Sequence, residues 1–541
     1  MKNIFNIKKN YFNHFLFFFT LIGIYLSLNV GITHDEAHNA WIWELNKKKI
    51  LKIFFDINYE IISLNESLGY NQEFNLIALD SFHGFYGVGF YLASFSFEKL
   101  ITFFYNFDFI NEEGKQLLIK HPFVLIYFVI GGLYLKKILL LITNNELTSN
   151  LSSIFFLTYP YLFGHSLFNM KDIPLMSVWI VCTYFFAKIL FEFFDHKKIE
   201  LKKIFIISIL TAHLLSLRVS GILIFIEYLF FIFFFIHFYK MNFTYFIKNT
   251  YKFILIFLFS FLFFLYSFYP SLWGDPIRFF ESISFMSQHL QSVCTVTFGE
   301  CMKAQNLPSS YIFIWLFYKL PIFILFGILV FIFTEKKIFS NKQNILVLGP
   351  LISSVVTIIF LLIFFDVNLY DELRQILFIL PLIFIISIVA INHFLKKFFS
   401  IFISLFIIFF LYQNLKLYPY NYLWINNFNL FTEVNKNFEK DYWGVSTKKI
   451  AQYFNRNELS KNECLISNRN NGIKYFLNQQ NTCLKTFNNL HKKNNRPFYI
   501  ALTERSLNKG TPNQCDLISG QSIYINFSNE KIDLAKIYKC D

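Results

Sequence analysis

Long apolar runs separated by short polar connections dominate the first 415 residues of this chain. Eleven such runs are candidates for membrane-spanning helices. They cover residues 11–30, 122–142, 151–168, 173–194, 203–217, 221–238, 252–269, 311–333, 345–365, 375–392 and 398–415. Arg218 and Gly221 interrupt one long apolar stretch, and a break there keeps the arginine out of the hydrocarbon core. The pattern predicts an α-helical polytopic membrane protein with about 11–12 transmembrane helices.

The pattern changes at about residue 416, where polar residues with short apolar runs begin. Period-two alternation predicts strands at Glu463–Ser467, Pro497–Thr503, Ser522–Phe527 and Ile532–Lys539, and a helix at Ser446–Phe454. We therefore expect a multi-pass membrane domain over 1–415, with a first outer loop at about 31–121, and a small extracytoplasmic α/β domain over 416–541. Residues 82–104 are also apolar, but a crossing there would invert all later helices. We expect them to be a membrane-embedded part of the first outer loop.

The composition supports the membrane class, since 55% of the 541 residues are hydrophobic and only 16% are charged. This excludes a soluble globular chain and intrinsic disorder. The net charge of +14 would suggest nucleic acid in a soluble protein. Here the lysines cluster before the first run and in every second connection, which is typical of orientation in a membrane. We expect no nucleic-acid partner, a cytoplasmic N-terminus, a periplasmic tail and location in a bacterial inner membrane among its lipids.

The cysteines agree with this topology. Cys182 falls inside a predicted helix, and the other six fall on the predicted outer face. These six are Cys294, Cys301, Cys464, Cys483, Cys515 and Cys540. An even number in an oxidising compartment predicts disulfides, although scattered free thiols are the alternative.

A polar cluster, G-I-T-H-D-E-A-H-N (Gly31–Asn39), directly follows the first apolar run. It places two acids, Asp35 and Glu36, and two histidines within five positions. His34 and His38 are four residues apart, on one helical face, which also suits zinc, but no third ligand is evident. The alternative is a solvent-exposed helix N-terminus, where the negative charges of the two acids stabilise the helix by interacting with its dipole.

Four more polar clusters fall on the predicted outer face. They are F-G-H-S-L-F-N-M-K-D-I-P (163–174), L-R-V-S-G (217–221), Y-P-S-L-W-G-D-P-I-R (269–278) and D-V-N-L-Y-D-E-L-R (366–374). Arg218, Arg278 and Arg374 lie on this face, although the positive-inside rule expects lysines and arginines on the cytoplasmic side. Their position favours a bound anion, such as a lipid phosphate. The alternative is that these arginine side chains only extend toward the lipid headgroups and bind no specific anion. Glu227, inside a predicted helix, should be paired or lumen-facing, but the sequence does not name its partner.

In order along the chain, these clusters resemble GT-C superfamily glycosyltransferases. The similarity is to the protein O-mannosyltransferase-like family 39 and to bacterial enzymes that modify lipid A. It extends through the run 307–321, Y-D-E-L-R-Q (370–375), Y-P-Y-N-Y-L-W (418–424) and D-Y-W-G (441–444), and so covers most of residues 31–450.

The resemblance implies transfer of a sugar, a hexose or a pentose, from a polyprenyl-phosphate carrier to an extracytoplasmic acceptor, with inversion. The acceptor would be a lipid, a glycan or a protein. Asp35 would be the general base on the acceptor hydroxyl, with Glu36 as the second candidate. The substrate-binding candidates are His34, His38, Lys171, Asp172, Arg218, Asp371 and Arg374. Many family members carry an arginine where the nearest cation here is Lys171, which leaves the phosphate ligand open. The resemblance implies no cofactor, while the residues leave a divalent cation or zinc open.

Two other functions fit the same sequence. A transporter or flippase of a lipid-linked sugar would place its polar residues near the bilayer midplane, and only Glu227 and the break at Arg218 suggest that. A binding or assembly protein would use the tail for recognition, but eleven helices are excessive for an anchor. We therefore favour the enzyme.

Overall fold

A computed structural model describes residues 2–56, 76–196, 199–428, 432–457, 459, 463–478, 483–486, 498–503, 512, 515–524 and 530–540. Residues 57–75 of the predicted first outer loop lie outside this part, as do Lys197, Lys198, Pro497 and residues 525–527. The side chains of residues 2–10, 77 and 99 are likewise outside the description.

The described part of residues 1–417 is almost entirely helical. The helices are α1 (Lys2–Ser27), α2 (His34–Phe55), α3 (Gly89–Phe104), α4 (Glu112–Leu118), α5 (His121–Thr143), α6 (Glu146–Thr158), α7 (Pro160–Ser166), α8 (Asp172–His196), α9 (Leu201–Leu217), α10 (Ile224–Phe238), α11 (Phe243–Ser267), α12 (Arg278–Ser287), α13 (Tyr311–Lys319), α14 (Ile322–Ile338), α15 (Lys342–Phe364), α16 (Leu380–Leu395) and α17 (Phe399–Leu417). A short antiparallel pair, β1 (Cys294–Thr297) and β2 (Glu300–Lys303), lies between α12 and α13.

Six helical segments in the described part of the chain are long and apolar enough to cross a membrane, or seven when the bent pair α13–α14 is counted as one. The predicted class, a polytopic helical membrane protein, is confirmed, whereas eleven crossings stay a prediction. The prediction of one straight helix over 311–333 is wrong, because α13 and α14 meet at an angle of 115°. Pro321 lies at this break, and a proline has no backbone N–H with which to continue a helix.

The predicted break at Arg218 is confirmed. The chain leaves α9 with Arg218 extended, makes a 3-10 turn over Val219–Leu223 and enters α10. Gly221 lies so close to α9 that a Cβ there would come within 2.8 Å of the Leu214 carbonyl oxygen. The break therefore places an arginine at a helix end, where a polar partner can reach it.

The membrane domain packs largely through aromatic side chains. Phe155 on α6 stacks on Phe410 of α17, with ring centroids 5.0 Å apart, and lies against Phe384 of α16. Helix α5 packs on α6 and α8, α10 on α15, and α14 on α16. This packing brings together the helix ends that carry the polar clusters.

The apolar run 82–104 forms α3 instead of a complete span. With 16 residues, this helix is about 24 Å long, shorter than the roughly 30 Å hydrocarbon core of a bilayer. It packs on α9 and leaves Phe103 and Phe104 exposed. That α3 is a membrane-embedded part of the first outer loop stays a prediction.

The tail contains the predicted mixed sheet. Its strands are β3 (Cys464–Ser467), β4 (Cys483–Thr486), β5 (Phe498–Thr503), β6 (Cys515–Tyr524) and β7 (Lys531–Cys540), in the order β4-β3-β5-β7-β6. The first three are parallel to one another, and β7 is antiparallel to β5 and β6. Three further helices are α18 (Val434–Asn437), α19 (Thr447–Arg456) and α20 (Asn470–Lys474). The sequence analysis missed β4 and placed the start of β6 at Ser522 instead of Cys515.

The tail docks onto the first outer segment through a shared apolar core. Ile450 and Phe454 of α19 pack with strand residues of the sheet and with Ala37 of α2. Leu117 of α4 joins the same cluster. The start of α2 is therefore clamped between the membrane helices and the tail domain.

All six cysteines predicted on the outer face form disulfides between neighbouring strands. Cys294–Cys301 joins β1 to β2, Cys464–Cys483 joins β3 to β4, and Cys515–Cys540 joins β6 to β7. Cys182 is a buried free thiol. The predicted pairing of these six cysteines and the place of Cys182 inside a helix are confirmed, whereas the position of the six on the outer face stays a prediction.

Replacing both Cys515 and Cys540 by serine should lower the free energy of unfolding of the tail by about 2–4 kcal/mol, because the unfolded chain loses a cross-link. Chemical denaturation of the full-length protein, followed by tail-specific limited proteolysis, measures this loss. Cys182→Ser is the control, since it removes a thiol but no cross-link. Equal stability of the double variant and the wild type would contradict the prediction.

Candidate active site

Asp35 stands in the first turn of α2, and the geometry of that turn separates it from its neighbour Glu36. Thr33 is the N-cap, and its backbone N–H donates to Glu36 Oε1 at 2.7 Å, forming a capping box. Glu36 Oε2 lies 2.9 Å from Nε2 of His121, whose Nδ1 lies 3.1 Å from the Ser27 carbonyl oxygen. Both carboxylate oxygens of Glu36 therefore have partners inside the protein, whereas the Asp35 carboxylate is accessible.

Asp35 pairs with an arginine from the far end of the membrane domain. Arg374 Nη1 donates to Asp35 Oδ2 at 3.0 Å, and Arg374 Nη2 lies 3.2 Å from Asp371 Oδ2. The guanidinium lies between the rings of Tyr370 and Trp443, at 4.8 and 4.6 Å from their centroids. The Arg374 side chain is 9% exposed and that of Asp35 is 45% exposed, so the carboxylate is the accessible partner.

The turn that carries Arg374 is strained. Asp371 and Glu372 both adopt left-handed backbone conformations, with φ of 55° and 66°. Such conformations cost about 1–3 kcal/mol each for residues with a side chain. The surrounding contacts therefore have to hold this turn in place.

A second ion pair lies at the start of α8. Arg218 donates to Asp172 Oδ1, and Asn169 donates to Asp172 Oδ2 at 3.0 Å. The backbone N–H of Asp172 donates back to Asn169 Oδ1 at 3.0 Å, which fixes the turn before α8. Asn169 therefore fixes Asp172, and Asp172 in turn holds the guanidinium of Arg218.

Lys171 lies beside this pair without an ion-pair partner among the described residues. Its Nζ lies 4.2 Å from the centroid of the Tyr86 ring, and the Tyr86 hydroxyl is 2.9 Å from Nε2 of His289. A cation held over an aromatic face, with no carboxylate of its own, is free to bind an added anion.

These groups line one cavity of about 710 Å³. Its polar end carries Asp35, His38, Lys171, Asp172, Arg218, His289 and Arg374. Its other end is apolar and is lined by Val219, Ile222, Leu223, Phe280, Ile283, Ile358, Leu361, Leu362 and Phe365. The rings of Phe280 and Phe365 are themselves exposed on the outside of the protein, so the apolar end reaches its surface. The cavity can therefore take a molecule with an anionic head and an apolar tail.

The charges of the polar end depend on one another. Burial raises the pKa of Asp35, but the positive charges of Arg374, His34 and Lys171 outweigh it and hold the pKa well below its usual range. Burial lowers the pKa of Lys171 to about 7, although Asp35 acts in the opposite direction. Near neutral pH, Asp35 is therefore ionised and Lys171 is close to half charged.

The two histidines of the first cluster are neutral at pH 7. Burial and the charge of Arg469 lower the pKa of His34 to about 4. Burial and Lys171 lower the pKa of His38 to about 3. Neither imidazole therefore competes with Lys171 for a proton in this range.

The structure brings most of the sequence-predicted site residues together. Asp35, His38, Lys171, Asp172, Arg218 and Arg374 line the cavity. Glu36 also borders it, with both oxygens engaged as described. Asp371 lies behind Arg374, and His34 is attached to the tail, since its backbone N–H donates to the Trp443 carbonyl oxygen at 3.0 Å.

The structure gives other polar residues roles or partners that the sequence had left open. His34 and His38 gain no third ligand, because no group of three or more potential metal ligands occurs among the described residues. Arg278, which the topology suggested for an anion, donates to the carbonyl oxygens of Leu79, Asp80 and Ser81 and so braces the first outer loop. Glu227 accepts hydrogen bonds from Trp179 and Thr183, the partners that the sequence did not name.

Four site residues were not candidates from the sequence. Tyr86 and His289 stand outside all the motifs quoted from the sequence. Tyr370 and Trp443 stand inside the quoted motifs Y-D-E-L-R-Q and D-Y-W-G, which were the available signal. Gly444 follows Trp443 with φ of 73°, a conformation that favours glycine, and it closes this turn next to the cavity.

The pKa of Lys171 can be tested without any ligand. Reductive methylation of the purified full-length protein should label Lys171 with a rate midpoint near pH 7, while surface lysines titrate near their ordinary pKa of about 10.4. Mass spectrometry of peptides gives the rate at each pH. Asp35→Asn should move the midpoint lower, because the carboxylate favours the charged amine. A midpoint near 10 in the wild type would contradict this electrostatic description.

No family model matches this sequence, and no curated protein does. Among solved structures, ArnT from Cupriavidus metallidurans in the apo state is similar at 10% identity and a TM-score of 0.46, over 96% of each chain. ArnT from the same organism bound to undecaprenyl phosphate is similar at 10% identity and a TM-score of 0.45, over 98% of each chain. At this identity the likeness concerns the fold alone.

Proposed function

We propose that this protein is a membrane glycosyltransferase that moves a sugar from a polyprenyl-phosphate donor to an extracytoplasmic acceptor. One observation carries the proposal: a single cavity joins an accessible carboxylate, Asp35, to a group of cations and to a long apolar wall. A polyprenyl-phosphate sugar has the same three parts, namely a reacting sugar carbon, a phosphate and an apolar chain.

The cations suit the phosphate of the donor. Arg374 and Arg218 present guanidinium groups that can bind phosphate oxygens in pairs, and Lys171 adds a point charge. The leaving group is a phosphate that is already anionic, so these cations stabilise its departure and no general acid is required. The apolar end, between α10, α12 and α15, takes the polyprenyl chain.

Asp35 suits the role of general base. It accepts the proton of the acceptor hydroxyl while the hydroxyl oxygen bonds to the anomeric carbon and the bond from that carbon to the phosphate oxygen breaks. A single displacement of this kind inverts the anomeric configuration. Donor phosphate competes with Asp35 for Arg374, and this competition raises the basicity of the carboxylate only when the donor is bound.

The transporter alternative receives less support from the same geometry. Its best residue, Glu227, lies buried in α10 and is bonded to Trp179 and Thr183, and it does not line the cavity. The charged groups of the cavity lie at helix ends and in outer turns, where an enzyme acting at the membrane surface needs them.

Asp35→Asn should reduce sugar transfer by roughly 10²–10⁴-fold, since the amide cannot take the proton of the acceptor. Release of polyprenyl phosphate from polyprenyl-phosphate sugars, in membranes that contain the full-length protein, measures the rate. Asp275→Asn is a matched control, because Asp275 is an exposed acid on the same predicted face and away from the cavity. A wild-type rate in Asp35→Asn would exclude the proposed base.

Binding of undecaprenyl phosphate should depend on pH through Lys171. Below its pKa of about 7 the lysine is charged and contributes fully, and the contribution falls as pH rises from 6 to 8. Lys171→Met should therefore weaken binding by about tenfold or more at pH 6, and by less at pH 8. Comparing the two proteins at each pH cancels the titration of the phosphate itself. A ratio of dissociation constants that does not change with pH would count against a role for this amine.

A further inference from the structure

A buried ion pair lies directly behind the strained turn that carries Arg374. Lys319 Nζ is 2.8 Å from Glu372 Oε1, and both side chains are completely buried. Lys319 is the last residue of α13, next to the bend before α14, whereas Glu372 stands in the turn, two residues before Arg374. Neither residue lines the cavity.

The backbone of the turn is attached to the same helix. The N–H of Glu372 donates to the Tyr311 hydroxyl at 3.0 Å, and that hydroxyl faces the Glu372 carbonyl oxygen at 3.3 Å. Tyr442, of the turn that also carries Trp443, donates to Glu372 Oε2 at 3.4 Å. Helix α13 and the tail therefore hold Glu372 by its side chain and by its main chain.

These contacts act where the backbone conformation is least favoured. Asp371 and Glu372 both have positive φ, which residues with a Cβ seldom adopt without external contacts. This conformation directs Glu372 toward Lys319, while Asp371 pairs with Arg374. If the turn relaxed, Asp371 and Arg374 would lose their alignment with Asp35.

We propose that Lys319 and Glu372 are a positioning pair for donor binding: they hold the Asp371–Glu372 turn in its left-handed conformation and so place Arg374 beside Asp35. The proposal rests on the proposed function, in which Arg374 binds the donor phosphate. Lys319 and Glu372 act through Arg374 and do not touch the substrate.

A purely structural role does not explain this placement. Removing two charges from water costs so much that apolar residues of similar volume often serve stability equally well. An ion pair instead fixes the orientation of the turn. The charge of Lys319 attracts the Glu372 side chain to one side of the turn, which apolar packing does not do. The membrane domain thus contributes to the site through Lys319, at the bend between α13 and α14.

The test uses Lys319→Met/Glu372→Gln in the full-length protein in nanodiscs, with undecaprenyl phosphate as the probe. The double variant removes both charges and retains most of the volume, so it leaves no unpaired buried charge. We expect melting close to that of the wild type and a dissociation constant raised by about tenfold or more. The control is Lys203→Met/Glu192→Gln, which removes an ion pair between α8 and α9 outside the cavity. It should leave the dissociation constant unchanged.

Unchanged binding in the double variant, with or without a lower melting temperature, would overturn the proposal, since a structural pair changes melting but not affinity. If the double variant does not fold, Tyr311→Phe decides, because it removes only the hydroxyl that holds the backbone of Glu372. We expect binding weakened by about twofold to tenfold, and wild-type affinity would overturn the proposal.

Arg374→Gln separates this proposal from the function on which it rests. Loss of binding in Arg374→Gln together with unchanged binding in the double variant would remove the positioning role alone. Failure of the wild type to bind undecaprenyl phosphate would overturn the proposed function, and the positioning role with it.

Discussion

The ion pair between Asp35 and Arg374 joins two segments that lie 339 positions apart in the sequence. Asp35 follows the first helix, and Arg374 precedes the last two helices of the membrane domain. In so apolar a chain, a charged group removed from water needs a partner, because an unpaired buried charge is very costly. Arg374 is the buried partner, so the turn that carries it has to meet the segment that carries Asp35, and both residues line the cavity.

Each side of this ion pair has its own support. Glu36 and His121 fix the start of α2, so that Asp35 is the acid that faces the cavity. Asp371 and the ring of Trp443 hold the guanidinium, and the Trp443 turn joins the tail to the site. The tail also shares an apolar core with α2. A domain outside the membrane thus helps to define the geometry at the membrane surface.

The fold could be predicted wherever periodicity alone decides it. Apolar runs form helices because backbone groups in lipid have to bond within their own segment, and the strands predicted at Glu463–Ser467, Pro497–Thr503 and Ile532–Lys539 occur in the described residues because alternation is a local property. The predictions were incomplete where a single residue changes the course of a run. Pro321 bends the run 311–333 by 115°, and β4 is a strand of only four residues that its neighbour β3 stabilises by pairing.

The sequence by itself determined which polar residues stand at the ends of the apolar runs, and Asp35, Lys171, Arg218 and Arg374 were recognisable because charged residues are rare in this chain. Only the tertiary structure decided their partners: Asp172 holds Arg218, Arg374 holds Asp35, and Glu36 turns away to His121. Lys319 was hidden in an apolar run, and Arg278 was a candidate that instead braces a loop. The physical reason is distance. An ion pair depends on a separation of a few ångströms between atoms, and no local pattern records how close two remote segments come.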